Sequence, residues 1–426
     1  MLLEKLSYLL GLCALAAGTI LQNGQVRTTN YPDTRIDISS YDFRTYDANA
    51  TELSYKGRWD SKKVSWWSAP GLVFGFTGNT VAITFGELTT DTTLVGYRVG
   101  GMDWIFAGAT HLLVTPSTPG INETYPINPL TFELRVTNWA YGVQIDKVHV
   151  AAGESLTRIP PYGRTVEFIG DSLSSGMYTS YEGLSSFAYG VGAGLGDTEY
   201  YVTAYPGICV SDQECWGNRR GQVHQWFYTS DTSGRAAEIW GDDPEPWDFQ
   251  KQETTPGIVI INLGTNDNNA ANNVSTETYV DAYKNLIRGV HGKYPKAQVI
   301  VMQLWMGFYQ YGNTYQQNLG YEQELKDIVS YFNSDAYLSA PSIWDGTTNM
   351  TTVLDAPSEP FVHYFSTKGI MQHNDIGPLW HPTDVGAIKV ASHLTQFIKL
   401  TFGWDLVATG SEIFHDTLYW NDQQNY

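Results

Sequence analysis

Basic residues are scarce in this sequence: 25 Lys and Arg stand against 44 Asp and Glu, for a formal charge of −19. A surface of that sign repels phosphate backbones and anionic lipid headgroups, which excludes nucleic acid and membrane surfaces as partners. Charge of either sign is thin, at 16% of residues, while Tyr (28) and Trp (14) are plentiful. Uncharged, ring-rich surfaces suit sugars, whose CH faces stack on aromatic rings; the plainer account is that most of these rings are core. Long hydrophobic runs are missing too. Beyond the N-terminus no segment offers 18 consecutive apolar residues, so a soluble mature protein is expected. At 42% hydrophobic, the chain still has ample material for packed cores.

Cysteine is nearly absent, with three in 426 residues. Cys13 falls in "MLLEKLSYLLGLCALAAGTI", where a lysine precedes an apolar stretch from Leu6 to Ala17 and Ala14-Leu15-Ala16 fits a small-x-small cleavage site. This is the pattern of a secretory signal over residues 1–16, and it predicts a secreted, extracellular protein. Cys209 and Cys215 remain, an even pair close in sequence that predicts one disulfide in an oxidising compartment. Sequons at Asn49, Asn122, Asn273 and Asn349 predict glycosylation if the source is eukaryotic. None of the nine histidines shows metal-ligand spacing, and no metal or organic cofactor is expected.

A chain of this length is long for one core, and two domains are predicted. Residues 17–54 read as a polar arm. Residues 55–158 carry short strands with period-2 alternation and Gly or Asn punctuation, as in "GLVFGFTGNTVAITFG" and "LTFELRVTNW". That pattern predicts an antiparallel β-sandwich. Pro160-Pro161 marks the junction. From 161 to 404 strands ("TVEFIG", "PGIVIINLG", "AQVIVMQLW") alternate with amphipathic helices, which predicts a three-layer α/β domain with a parallel sheet. Residues 405–426 are left as a tail.

In such a sheet, chemistry gathers where strands run into loops. "VEFIGDSLSSG" stops at Gly-Asp-Ser, so Ser172 stands just past a strand end, either as a nucleophile or as an ordinary turn residue. Two further strand ends carry "AYPGIC", with Gly207, and "INLGTND", with Gly264, Asn266 and Asp267. His381 lies in "DIGPLWHPTD", just ahead of the last helix. A serine hydroxyl needs an imidazole to take its proton, and the resulting oxyanion needs preorganised N–H donors.

These four blocks, in this order, resemble the SGNH or GDSL-type hydrolase superfamily. The fit to carbohydrate esterase family 2 is narrower. It adds the β-sandwich opened by "GRW" (57–59), "PWDF" (246–249) upstream of "INLGTND", and a Trp before the His. The resemblance implies a flavodoxin-like hydrolase domain preceded by a jelly-roll-like sandwich. It further implies a serine esterase that removes O-acetyl groups from polysaccharides such as xylan and glucomannan.

By the same resemblance Ser172 and His381 are catalytic, and the N–H groups of Ser172 and Gly207 with the Asn266 amide form the oxyanion hole. Asp171 is expected to be structural. One departure stands out. The superfamily usually carries an Asp three residues before the His, where this chain has Pro378. Asp375 and Asp384 lack the expected spacing, so the carbonyl of Trp380 is expected to orient His381, as backbone carbonyls do in some family members. Trp305 and Trp380 are candidate sugar platforms, or equally core. A monomer acting on acetylated polysaccharide or oligosaccharide is the first expectation. The alternatives are a lipase- or thioesterase-like hydrolase and a carbohydrate-binding protein on a relict esterase fold.

Overall fold

The computed structural model describes residues 19–22, 25–26, 38–108, 111–122, 131–241, 244–346, 348, 350–409 and 421–422. The expected signal sequence, Cys13, parts of the arm and tail, and Asn349 lie outside the described residues. Asn49, Asn122 and Asn273 are exposed.

Five short strands form the parallel sheet: β1 (Arg164–Gly170), β2 (Thr198–Ala204), β3 (Ile258–Asn262), β4 (Gln298–Met302) and β5 (Val362–Phe365). Their spatial order is β2-β1-β3-β4-β5, all parallel, the flavodoxin-like order with its switch point between β1 and β3. β1, β3 and β4 are buried along nearly their whole length, which is why they read as nearly continuous apolar runs.

The helices that matter to the site are α1 (Ser172–Ser175), α2 (Phe187–Leu195), α3 (Thr276–Lys293), α4 (Glu322–Phe332) and α5 (Asp384–Phe402). On one face α3 and α4 bury Tyr279, Tyr283, Leu286, Ile287, Leu325 and Ile328. On the other, α2 and α5 bury Phe187, Val191, Leu195, Val390, Leu394 and Ile398. The sheet lies between two helical layers, as expected.

The N-terminal strands depart from expectation. Two antiparallel layers do face each other around Leu72, Phe74, Ile83, Phe132, Leu134 and Val148. They are not a separate body, however. The long strand Ser65–Phe76 pairs with Thr131–Val136 along its second half, while Ser68 pairs antiparallel with Val202 of β2. The result is one mixed sheet of eleven strands that runs past the expected boundary at Pro160-Pro161. The physical reason lies in two non-glycine residues within that strand, Trp67 (φ 65°) and Ala69 (φ 51°). These left-handed kinks re-aim the strand, as bulges do, so that its two halves serve different sheet neighbours.

The "GRW" stretch closes the junction. The register of Ser54–Trp59 against Ser65–Phe76 shifts between Lys56 and Arg58, at Gly57 (φ 74°). The shift turns Arg58 inward, where it is only 4% exposed. Its guanidinium donates to the carbonyls of Trp226 (2.6 Å) and Tyr228 and lies 3.4 Å from the Glu167 carboxylate of β1. The rings of Trp247 and Phe249, from "PWDF", stand 5.3 and 5.6 Å from it. Glu167 also accepts from Thr203 (2.8 Å) and Trp226 Nε1 (2.9 Å). Removing one partner of such a pair leaves a buried charge uncompensated, at about 3–5 kcal/mol. Arg58→Met is therefore expected to lower unfolding stability by about that amount in urea titrations. A loss below about 1 kcal/mol would show that the pair does not hold the two halves together.

Candidate active site

Ser172 is the first residue of α1, immediately past the carboxyl end of β1. Asp171 caps that helix, its Oδ1 accepting the Leu173 amide at 3.0 Å. Burial pushes the Asp171 carboxyl up to about 7, against the pull of that hydrogen bond. Ser172 is 5% exposed, and its carbonyl accepts from Met177 N and Ser175 Oγ at 3.0 and 3.1 Å. The hydroxyl thus sits on a short, closed turn, at the strand end where α/β sheets present reactive groups.

Gly207 follows β2 with φ 80°, a conformation that favours glycine. A Cβ there would also come within 2.8 Å of Trp216 Cβ. The loop beyond it is closed by the Cys209–Cys215 disulfide. It is gripped from the end of β3 by two successive side chains. Asn266 Nδ2 donates to the Ile208 carbonyl at 2.8 Å, and the Asp267 carboxylate accepts from Val210 N (2.9 Å) and Ser211 N (3.0 Å). Ser172, Gly207 and Asn266 therefore stand at the carboxyl ends of three neighbouring strands, with Gly207 fixed by the residues that flank and include Asn266.

His381 lies in the turn before α5, closed by Gly377 N donating to the His381 carbonyl at 2.7 Å. Leu379 (φ 50°) and Trp380 (φ 64°) are both left-handed, a strained pair that turns the Leu379 carbonyl back onto the imidazole. His381 Nδ1 meets that carbonyl at 3.0 Å. A carbonyl can only accept, so Nδ1 carries the proton and Nε2 is the basic nitrogen. This corrects the expectation for Trp380: the carbonyl facing the ring is that of the residue before it. Neither nearby carboxylate takes its place. Asp375 accepts from Lys389 Nζ (2.6 Å) and Gln372 N (2.8 Å), and Asp384 accepts from Ser180 N (2.9 Å).

The two candidate tryptophans part company. Trp305 is fully buried, edge-on to Phe187 of α2 at 5.9 Å, on the segment that follows β4. A ring without an open face cannot stack on a sugar, so Trp305 is withdrawn as a platform. Trp380 is 60% exposed and rests over Gly307, where a Cβ would come within 2.4 Å of its ring.

Sequence reasoning missed three features. Trp216 is 50% exposed beside Gly207; its position directly after Cys215 was the available signal. Tyr178, on the turn after α1, meets the His381 ring at 4.9 Å and 75°. Glu182 ties that turn to the N-terminal strands, accepting from Asn138 Nδ2 at 2.9 Å, while Gly183 N donates to Thr137 O at 3.0 Å. Nothing in sequence periodicity marks these last two. Among the described residues, no helix is long and apolar enough to cross a membrane.

The fold is a flavodoxin-like parallel sheet with a Gly-Asp-Ser turn at the carboxyl end of β1. Residues 168–387 match the model of the GDSL-like lipase/acylhydrolase family, and the chain belongs to that family of carboxylic ester hydrolases. The chain is 26% identical over 293 residues to a cellulase/esterase of Acetivibrio thermocellus, a match covering 61% of this chain and 32% of that protein. The chain thus spans about a third of that curated relative.

Among solved structures, a family two carbohydrate esterase from Clostridium thermocellum in complex with cellohexaose aligns with a TM-score of 0.59 at 21% identity, covering 83% of this chain and 99% of that one. An acetyl xylan esterase from the rumen bacterium Butyrivibrio proteoclasticus aligns at 0.60 and 15% identity, covering 85% and 100%. At these identities the likeness is one of fold.

Burial pushes the Glu182 carboxyl up to about 8, and that of Asp384 to about 6. A carboxyl raised on folding contributes stability that is present below its unfolded value and lost as pH rises through its folded value. For Glu182 the window runs from 4.5 to about 8. Glu182→Gln, neutral at every pH, is expected to gain on the wild type across that window. The gap in urea midpoint should be wider at about pH 9 than at about pH 5. A gap independent of pH would place the raised carboxyl elsewhere.

Proposed function

We propose that this protein is a secreted serine esterase that removes O-acetyl groups from plant-type polysaccharides or their oligosaccharides. The observation that carries the reading is the hydrogen bond from His381 Nδ1–H to the Leu379 carbonyl, which leaves Nε2 as the base. In this reading Ser172 Oγ attacks the acetyl carbonyl while His381 Nε2 takes its proton. The oxyanion is met by the N–H groups of Ser172 and Gly207 and by the Asn266 amide. That amide has two N–H bonds, of which Ile208 takes one. The sugar hydroxyl leaves with the proton from His381. Water then attacks the acetyl-serine, giving acetate and the free serine.

The substrate class is supported by the rim. Trp380 and Trp216 are exposed beside His381 and Gly207. The hairpin Phe308–Tyr311 with Thr314–Gln317 rises from Gly307 and exposes Tyr309 (46%) and Tyr311 (69%). Residues 307–318 include no charged side chain, in a chain of net charge −19. A neutral, ring-bearing rim suits a neutral acetylated polymer, whose sugars stack on aromatic faces. The N-terminal strands serve as a flank that buttresses the turn after Ser172 through Thr137 and Asn138. Secretion, supported by the signal-like N-terminus and the disulfide, sequon glycosylation at Asn49, Asn122, Asn273 and Asn349, and a monomeric state belong to the same proposal.

The test is acetate release from acetylated xylan, acetylated glucomannan and small acetylated sugars, with Ser172→Ala as the inactive control. A preference for long acyl esters would sink the acetylesterase reading. Failure of a fluorophosphonate to label Ser172 would leave a binding protein. Asn266→Ala is expected to lower kcat about 100- to 1000-fold. Trp380→Ala is expected to raise KM on polymer while sparing kcat on a small acetyl ester, since uniform binding appears in KM alone.

A further inference from the structure

The turn after Ser172 and the turn that carries His381 are remote in sequence, and one carboxylate joins them. Asp384 opens α5 behind its cap, Thr383. Its Oδ1 accepts Ser180 N at 2.9 Å and its Oδ2 accepts Ser180 Oγ, so both donors of one residue are held by both oxygens of another. Asp384 is 3% exposed, which shields these charge-assisted bonds from water.

Between Ser172 and Ser180 the chain has little slack. Met177 N donates to Ser172 O at 3.0 Å, and Thr179 reaches Gly176 O through its N (3.0 Å) and its Oγ1 (2.6 Å). Tyr178, inside this turn, has φ 69°. A strained residue persists only where its surroundings hold it. The Gly176 turn holds one flank, and Asp384, through Ser180, holds the other. The Tyr178 ring in turn lies edge-to-face on the His381 imidazole.

Resting on the serine-esterase reading above, we infer that Asp384 is a positioning residue for the Ser172–His381 pair. It acts through Ser180 and Tyr178, holding the imidazole in register with the nucleophile's turn. The inference answers a specific need. A carboxylate at Nδ1 would both orient a histidine and stabilise its cation; here Nδ1 has a neutral carbonyl, a weaker partner. The edge-to-face contact with Tyr178 adds a constraint on the ring's orientation. Asp384 thus serves the histidine without touching it, from a position that its spacing from His381 does not reveal.

The experiment compares wild type, Asp384→Asn, Ser180→Ala and the double variant. Three readouts are used: 4-nitrophenyl acetate turnover, fluorophosphonate labelling of Ser172, and the ¹⁵N NMR signals of His381. Asp384→Asn is expected to lower kcat about 10- to 100-fold with KM within about twofold, as misplacement of a catalytic group does. Labelling should slow by the same factor in a protein that is still folded. Ser180→Ala should lose a similar factor and the double variant little more, because both break one link. The Nδ1–H signal should move or broaden in each variant.

Wild-type kcat in Asp384→Asn, or a loss that follows only the loss of folded protein, would overturn the inference. The NMR arm needs no turnover. If the wild type hydrolyses no ester, an unchanged His381 signal in Asp384→Asn still overturns the positioning role. A changed His381 signal in Asp384→Asn, together with a wild type that hydrolyses no ester, would overturn the esterase reading alone.

Discussion

A buried guanidinium sets the terms on which the rest of this molecule packs. Arg58 can be buried only if every charge and donor on it is answered, since an unpaired ion in the interior costs several kcal/mol. Its partners, Glu167 and the carbonyls of Trp226 and Tyr228, belong to the parallel sheet and its connections, whereas Arg58 belongs to the N-terminal strands. Neither half can satisfy these groups alone. Burial draws the guanidinium below its ordinary value while Glu167 pulls the other way, so the pair is stable only as a pair. The continuous sheet through Ser68 and Val202 is the backbone counterpart of the same constraint.

That fixed junction bears on the candidate site by a short route. Glu167 lies on β1, and β1 ends at the Gly-Asp-Ser turn. From the other side Thr137 and Asn138 press on the turn beyond Ser172. The remaining groups are held by loops that brace one another: Asp267 and Asn266 grip the disulfide loop, and Asp375 and Asp384 fix the two ends of the histidine turn. The carboxylates around the site therefore act mainly on backbone N–H groups and on Lys389. Strain collects in the same places, at Tyr178, Trp216, Leu379 and Trp380. Left-handed non-glycine residues persist there because the bracing over-determines them.

Much of the fold was legible in the sequence, for a definite reason. Strands buried on both faces are dominated by apolar residues, so "TVEFIG", "PGIVIINLG" and "AQVIVMQLW" read as a parallel sheet, with Glu167 the buried charged exception. That Ser172, Gly207 and Asn266 lie along one edge was legible too, because parallel strands all deliver their carboxyl ends to that edge. What misled was local proximity. Trp380 adjoins His381 in the chain, yet two left-handed residues hand the imidazole to the Leu379 carbonyl instead. Trp305 follows a strand end, where a surface residue could stand, but the chain beyond β4 keeps it in the core. The proline pair at 160–161 looked like a domain boundary, while the hydrogen bonds that cross it lie almost a hundred residues upstream, at Ser68.

The sequence by itself determined the alternation of strands and helices, the positions where strands break into loops, and the set of residue types needed for ester chemistry. Those are properties of local composition, which periodicity and turn chemistry record directly. Only the tertiary structure decided which carbonyl faces His381, where Asp375 and Asp384 spend their charges, and that the N-terminal strands share a sheet with the hydrolase strands. Each of these depends on a backbone angle or on a contact between distant segments. Pattern along one chain does not encode them, because they arise only when buried polar groups must find partners across the fold.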